Sequence, residues 1–232
     1  MARTCVILPA YNAEATIGPL VRRIKALSLA PIVVNDGSTD GTARVSTDAG
    51  AFVMSHVSNR GKGVALRTGF HYAVQTGFDY VVTMDSDGQH DPEEIPKLLA
   101  AAEHAAIVIG HRQDGDRMPA SRRLTNRLMS AIVSRLIRQR IPDFQCGFRV
   151  FRAHVLKDMS LSTAHFDLET EVLLAAARHG WMIASVPVRT IYHSHGSHIH
   201  PLVDGLRFIR LITWYVLNPR NTTPTIHPEA RS

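Results

Sequence analysis

The chain has 232 residues, 45% of them hydrophobic and 20% charged, with no low-complexity stretch and no internal repeat. That composition excludes a disordered or repetitive chain and allows one substantial core in a single soluble domain. The net charge of +6 is unevenly placed: residues 112–152 hold ten Arg, no Lys and three Asp, which predicts either an anionic partner (phosphate groups, a lipid headgroup surface, nucleic acid) or a merely solvated basic face.

Taken in chain order, short β-branched apolar runs alternate with helical patterns. Strands are expected at TCVIL (4–8), PIVVN (31–35), FVMSH (52–56), YVVTM (80–84) and AIVIG (106–110). None alternates cleanly, as befits strands buried on both faces. Helical patterns fall at 14–28, 39–49, 63–77 and 92–104, with start signals at Asp40 and Asp91-Pro92. This repeated βα unit predicts an α/β fold, a mostly parallel sheet with helices on both faces. Beyond residue 120 follow a basic amphipathic helix (121–140), the loop IPDFQCG, a strand FRVFR, the helix DLETEVLLAAARHG stopped by Gly180, a strand WMIASVPV and the His-rich loop YHSHGSHIHP. The run LRFIRLITWYVL (206–217) is interrupted by Arg207 and Arg210, so it is suited to lie on a membrane and not to cross one. The domain is expected to end at 218, with 219–232 a disordered tail. The N-terminal apolar run breaks at Pro9, too short for a signal peptide, and Cys5 and Cys146 have no metal or redox spacing and read as buried thiols of a reduced compartment.

In parallel sheets, ligands bind beyond the carboxyl ends of the strands. The loops there read PAYNAE, NDGSTDGT, NRGKG, DSDGQHD and GHRQDGDR, four of them charged or Gly-rich. In the fourth, Asp85 and Asp87 are spaced to put two carboxylates on one side of an extended chain, and Gln89 adds a neutral oxygen. A hard divalent cation, Mg²⁺ or Mn²⁺, with a diphosphate as co-ligand is one way to keep them ionised together. The bland alternative is that D-S-D caps the helix starting at Asp91-Pro92. Asp36 ends the second strand, where a carboxylate suits base or ribose donors. Lys62, between two glycines at a helix start, suits a phosphate, although it fails the P-loop spacing and its glycines fit close packing equally well.

The segments VILPAYNAEATIG, VVNDGSTDGT, NRGKGVALRTGF and VVTMDSDGQHDPEEIP, in this order and spacing, resemble the family 2 glycosyltransferases of GT-A (Rossmann-like) fold. DFQCGFRVFRAHVL and FDLETEVLLAAARHGWMIASVPVRTIY resemble the polyprenyl-phosphate branch, typified by dolichyl-phosphate mannosyltransferase. The likeness spans residues 4–217, ending in C-terminal amphipathic helices. It implies that Pro9, Tyr11, Glu14, Asp36, Lys62 and Asp85 serve the nucleotide sugar, and that Asp87 and Gln89, with Asp85, hold the metal. Asp87, Arg112 and Arg123 would act in catalysis, and Arg122 or Arg123 would meet the acceptor phosphate. In the acceptor loop His193 stands where the branch carries an Arg, and Ser197-His198 stand for its Ser-Lys pair, a weaker and more pH-dependent phosphate site. Alternatively, His193, His195, His198 and His200 are an exposed polar loop or an adventitious metal cluster.

The implied reaction is an inverting, metal-dependent transfer of a sugar from GDP-mannose or a UDP-hexose to a polyprenyl or dolichyl phosphate. A phosphate oxygen needs no strong base, whereas a hydroxyl of a glycolipid or polysaccharide would need a carboxylate, with Asp167, Glu169 and Glu171 as candidates. A nucleic-acid role would leave the acidic edge without purpose, and the Gly-rich N-terminal loop of a sugar nucleotidyltransferase is absent. On the basic helix, Leu128, Ile132 and Leu136 read as core packing in preference to lipid contact. Arg density and the Trp214-Tyr215 pair still favour an interfacial position, and the resemblance implies an enzyme of envelope glycan synthesis, peripheral on the inner face of the cytoplasmic membrane.

Overall fold

The computed structural model describes residues 2–112, 120–159, 161, 167–189, 191 and 201–218, and the side chains of these except 120–124, 167 and 201–207. The expected tail, 219–232, lies outside the described residues. Strands β1 (Thr4–Ala10), β2 (Ala30–Asn35), β3 (Phe52–Ser55), β4 (Tyr80–Thr83) and β5 (Ile107–Arg112) alternate with helices α1 (Glu14–Ala26), α2 (Thr42–Asp48), α3 (Lys62–Thr76) and α4 (Ile95–Ala101), the last entered through a 3-10 turn at Pro92–Glu94. Then come α5 (Ala120–Ile137), β6 (Arg149–Arg152), α6 (Ala153–Asp158), α7 (Asp167–Arg178), β7 (Ile183–Val188) and α8 (Pro201–Leu217).

The strands form one sheet in the order β3-β2-β1-β4-β6-β5-β7. Residues Cys5 to Ala10 are buried without alternation, because helices cover both faces of the sheet and every side chain of β1 must be apolar or small. The α1 helix turns Ile17, Leu20, Val21 and Ile24 into the core at helical spacing. All pairings are parallel except those of β6, which runs antiparallel to both β4 and β5. The βα repeat did not indicate this insertion, since the pairing of β6 is settled by partners distant in the chain. Its effect is to bring the start of β6, Gly147 to Arg149, to the edge where the parallel strands end.

Two expectations are corrected by packing. The basic helix stops at Ile137, where Arg138 takes a positive φ of 55°. On it, Leu128 and Ile132 are 61% and 38% exposed instead of packed in the core, and Leu136 is half-buried. Val133 and Ile137 face inward in their place, so the helix turns an apolar stripe outward beside Arg127 and Arg135.

Candidate active site

At the carboxyl edge of β1 and β2, Pro9 is buried within β1 and Tyr11 is half exposed just beyond it. The loops that follow are laced together. The Asp40 carboxylate accepts from the backbone N–H groups of Glu14 (3.1 Å) and Thr42 (3.0 Å), and Glu14 accepts from Gly41 N–H (3.0 Å). Glu14, expected at the nucleotide, thus also orders this edge. Asp36 is 3% exposed. Its carboxylate accepts from the Arg60 (3.0 Å) and Gly61 (2.7 Å) amides and lies 2.6 Å from His56 Nδ1, whose Nε2 lies 3.0 Å from Thr68 Oγ1. Asp36 therefore fixes the loop that delivers Lys62.

Lys62, the first residue of α3, places its ammonium 2.6 Å from Asp85 Oδ1 and 2.8 Å from Glu169 Oε1. His90 Nε2 lies 3.5 Å from the other Asp85 oxygen. Burial by itself would raise the Asp85 carboxyl, but the Lys62 charge and His90 outweigh it and hold Asp85 well below the usual carboxylate range. Burial likewise would lower Lys62, yet Asp85 and Glu169 hold its ammonium above the ordinary lysine range. Asp85 owes its ionisation to a lysine, a partner that residues 80–96 alone do not reveal. Gly147 is needed beside it: a Cβ there would lie 2.7 Å from both Asp85 oxygens.

Asp87 stands apart. Residues Ser86 and Asp87 form a turn, with Gly88 at φ 76°, and not the extended chain expected from the spacing. Asp87 is exposed, with Oδ1 accepting from Gln89 N–H at 2.9 Å. Capping of the next helix falls to Asp91, which accepts from Glu93 N–H and pairs with Arg23 of α1. Neither Asp85 nor Asp87 is spent on that cap. The Gln89 carbonyl accepts from Ile191 N–H (2.8 Å), joining this turn to the chain that follows β7.

Arg112 ends β5 and grips Asp143 with two nearly parallel bonds, Nε to Oδ2 (2.7 Å) and Nη2 to Oδ1 (3.1 Å). Asn126 of α5 adds a third bond to Oδ1 (3.1 Å). Burial would raise Asp143, but its bond to Arg112 and the guanidinium charge hold it below the ordinary range. Arg149 is 2% exposed, its guanidinium donating to backbone carbonyls of Phe144, Cys146 and Glu169. Among the described residues, the arginines of 112–152 are therefore no uniform basic face: Arg112 is paired, Arg149 is buried, Arg152 is half-buried and donates to the carbonyls of Ala102 and Glu103, and Arg127, Arg135, Arg138 and Arg140 are exposed.

Arg122 and Arg123 lie on α5, with side chains outside the described residues, as do His193, Ser197 and His198 entirely. Among the described residues, no group of three or more His, Cys, Asp or Glu is arranged to hold a metal ion. Sequence reading missed Asp143 and Arg149, and weighed Glu169 as a base or a helix-start charge but not as the partner of Lys62. Their only signal was a charged residue next to predicted apolar elements.

Glycosyl transferase family 2 matches residues 5–160. The undecaprenyl-phosphate mannosyltransferase of Micrococcus luteus is 29% identical over 84% of this chain and 86% of its own. Glycosyltransferase AglJ of Haloferax volcanii is 32% identical over 87% of this chain and 68% of its own. Among solved structures, glucosyl-3-phosphoglycerate synthase of Mycobacterium tuberculosis, bound to Mn²⁺, uridine diphosphate and glucosyl-3-phosphoglycerate, superposes with a TM-score of 0.72, at 22% identity over 96% of this chain and 81% of that one.

Proposed function

The chain belongs to glycosyl transferase family 2 and is a glycosyltransferase with polyprenyl-phosphate sugar transferases among its relatives, and from that premise we propose that it moves a hexose from GDP-mannose or a UDP-hexose to a polyprenyl or dolichyl phosphate, inverting the anomeric centre. The observation that carries the choice of acceptor is the ion pair of Glu169. A hydroxyl acceptor needs a carboxylate to take its proton, but Glu169, with 8% of its side chain exposed, is bonded to Lys62 at 2.8 Å. Glu171 is 5% exposed, and the Asp167 side chain lies outside the described residues. An acceptor phosphate arrives ionised. Its oxygen bonds to the anomeric carbon as the bond from that carbon to the donor phosphate breaks, the electron pair leaving with the nucleoside diphosphate.

The protein contributes alignment and charge. Arg112, aimed by Asp143, is a donor to phosphate oxygens at the end of β5, with Arg123 or Arg122 as its counterpart on α5. Tyr11, Pro9, Glu14 and Asp36 form the nucleotide edge. A divalent ion fits the turn at residues 85–89: the exposed Asp87 and the half-buried Gln89 supply hard oxygen atoms, and Mg²⁺ ordinarily takes only one or two protein carboxylates. Asp85, bonded to Lys62, would add charge more than coordination. When bound, Mg²⁺ or Mn²⁺ neutralises the diphosphate. The exposed Leu128 and Ile132 of α5 and Ile209, Trp214, Val216 and Leu217 of α8, next to exposed arginines, support peripheral docking on the inner face of the cytoplasmic membrane. Among the described residues no helix is long and apolar enough to cross one.

The test is transfer from radiolabelled GDP-mannose, UDP-glucose and UDP-GlcNAc to polyprenyl phosphate with Mn²⁺ or Mg²⁺, wild type against Asp87→Ala. One donor should transfer, and the variant should lose about a hundredfold or more of it. Donor binding without transfer to lipid phosphate would move the reading to a hydroxyl acceptor, and absence of donor binding would refute it.

A further inference from the structure

Arg149 opens β6 at the active edge of the sheet, flanked by Phe148, Val150 and Phe151, all buried. Burying a guanidinium costs free energy that a methionine on the same strand would not. What arginine offers is a planar fork with five donors in fixed directions, able to hold several carbonyls at once. Here Nε donates to Cys146 O (2.9 Å), Nη1 to Glu169 O (2.8 Å) and Nη2 to Phe144 O. The first and third belong to the loop leading into β6, the second to α7.

Both attachments lead to charged groups of the site. Phe144 and Cys146 lie between Asp143, which grips Arg112, and Gly147, where a Cβ would meet the Asp85 carboxylate and whose carbonyl accepts from Thr83 Oγ1 at 2.8 Å. Glu169 holds Lys62, which in turn holds Asp85. We propose that Arg149 is a positioning residue of the transfer reaction: a single buried guanidinium sets the loop that aims Arg112 and the turn of α7 that aims Lys62. This deepens the glycosyl-transfer reading and rests on it.

Arg149→Lys keeps the charge and loses the fork, while Arg149→Met keeps the bulk and loses both. Compared with wild type by hydrogen–deuterium exchange, both should exchange faster in residues 143–148 and 168–173 together. In steady-state transfer kcat should fall about tenfold or more while donor KM changes by less than about threefold. Combined with Asp143→Asn, Arg149→Lys should lose less than the product of the two single effects, because both act through Arg112. Exchange altered only within β6, full activity in Arg149→Lys, or strictly multiplicative losses would overturn the proposal. Absence of wild-type turnover would sink the glycosyl-transfer reading, and the exchange result would still decide whether Arg149 sets both segments. Should neither variant fold, the cycle of Asp143→Asn with Glu169→Gln, read in kcat and in Tm, takes its place: coupling supports the shared anchor and strict additivity overturns it.

Discussion

Lys62→Met removes the ammonium between Asp85 and Glu169 with little change of volume. The side chains of Lys62, Asp85 and Glu169 are 19%, 28% and 8% exposed, so the solvent screens the group only in part. At contacts of 2.6 and 2.8 Å, each pair has roughly 6 kcal/mol of Coulomb attraction at an effective dielectric of about 20, much of it offset by desolvation. Breaking a buried pair by deleting one partner costs about 3–5 kcal/mol, which for a domain of this size lowers Tm by about 6–20 °C in calorimetry. The pH dependence carries a sign. In the wild type, the raised Lys62 contributes stability below the unfolded lysine pKa and loses it only as pH rises through the folded value, while the lowered Asp85 contributes above the unfolded carboxyl pKa and loses it as pH falls. Between about pH 5 and 10 both contributions are present. In Lys62→Met, the burial that opposes the Asp85 charge is no longer outweighed by the ammonium, so protonation relieves the variant and its deficit should shrink from pH 8 to pH 5. Adding Glu169→Gln should recover part of the loss. A Tm drop below about 2 °C at pH 8, or a deficit that grows on acidification, would refute the reasoning.

Asp143→Asn removes the charge under Arg112 and should cost about 2–3 kcal/mol at pH 7, seen as a Tm lower by about 4–12 °C. Because Asp143 is held low when folded, its gap to wild type should close only below about pH 4, as the wild-type carboxyl itself protonates; a gap unchanged at acid pH would count against the pair. Gly147→Ala drives a methyl against Asp85 and should cost about 1–3 kcal/mol by overpacking, with transfer impaired beyond what the Tm shift explains; a variant with wild-type kcat would show that Asp85 moves aside freely. Leu128→Ser with Ile132→Ser should leave Tm within about 2 °C, since both residues are exposed, and reduce sedimentation with anionic vesicles about tenfold or more, given about 1.5–3 kcal/mol per apolar side chain buried. Unchanged vesicle binding would exclude this face from the membrane.

The element order and the active edge were legible from the chain alone because they are local properties. Buried parallel strands read as unbroken apolar runs, and strand ends are marked by Gly, Asp and Asn. Hence β1 to β5, the loops beyond them and the grouping of Asp36, Lys62 and Asp85 at one edge are foreseen within a few residues. The resemblance then attached a chemistry to that edge. What tertiary structure decided is which charge meets which. Asp85 and Asp87 look equivalent in D-S-D, yet one is bound to the lysine that starts α3 and the other faces solvent. Arg112 and Arg149 look like members of one basic cluster, yet one is aimed by Asp143 and the other is sunk among carbonyls of distant segments. Leu128 and Ile132 have core periodicity and stand outside. Periodicity shows that a helix has an apolar stripe, and spacing that two carboxylates are near in sequence. Coulomb and hydrogen-bond partners are set by distances of a few ångströms between residues far apart in the chain, and only the packed sheet and its antiparallel sixth strand bring those within reach.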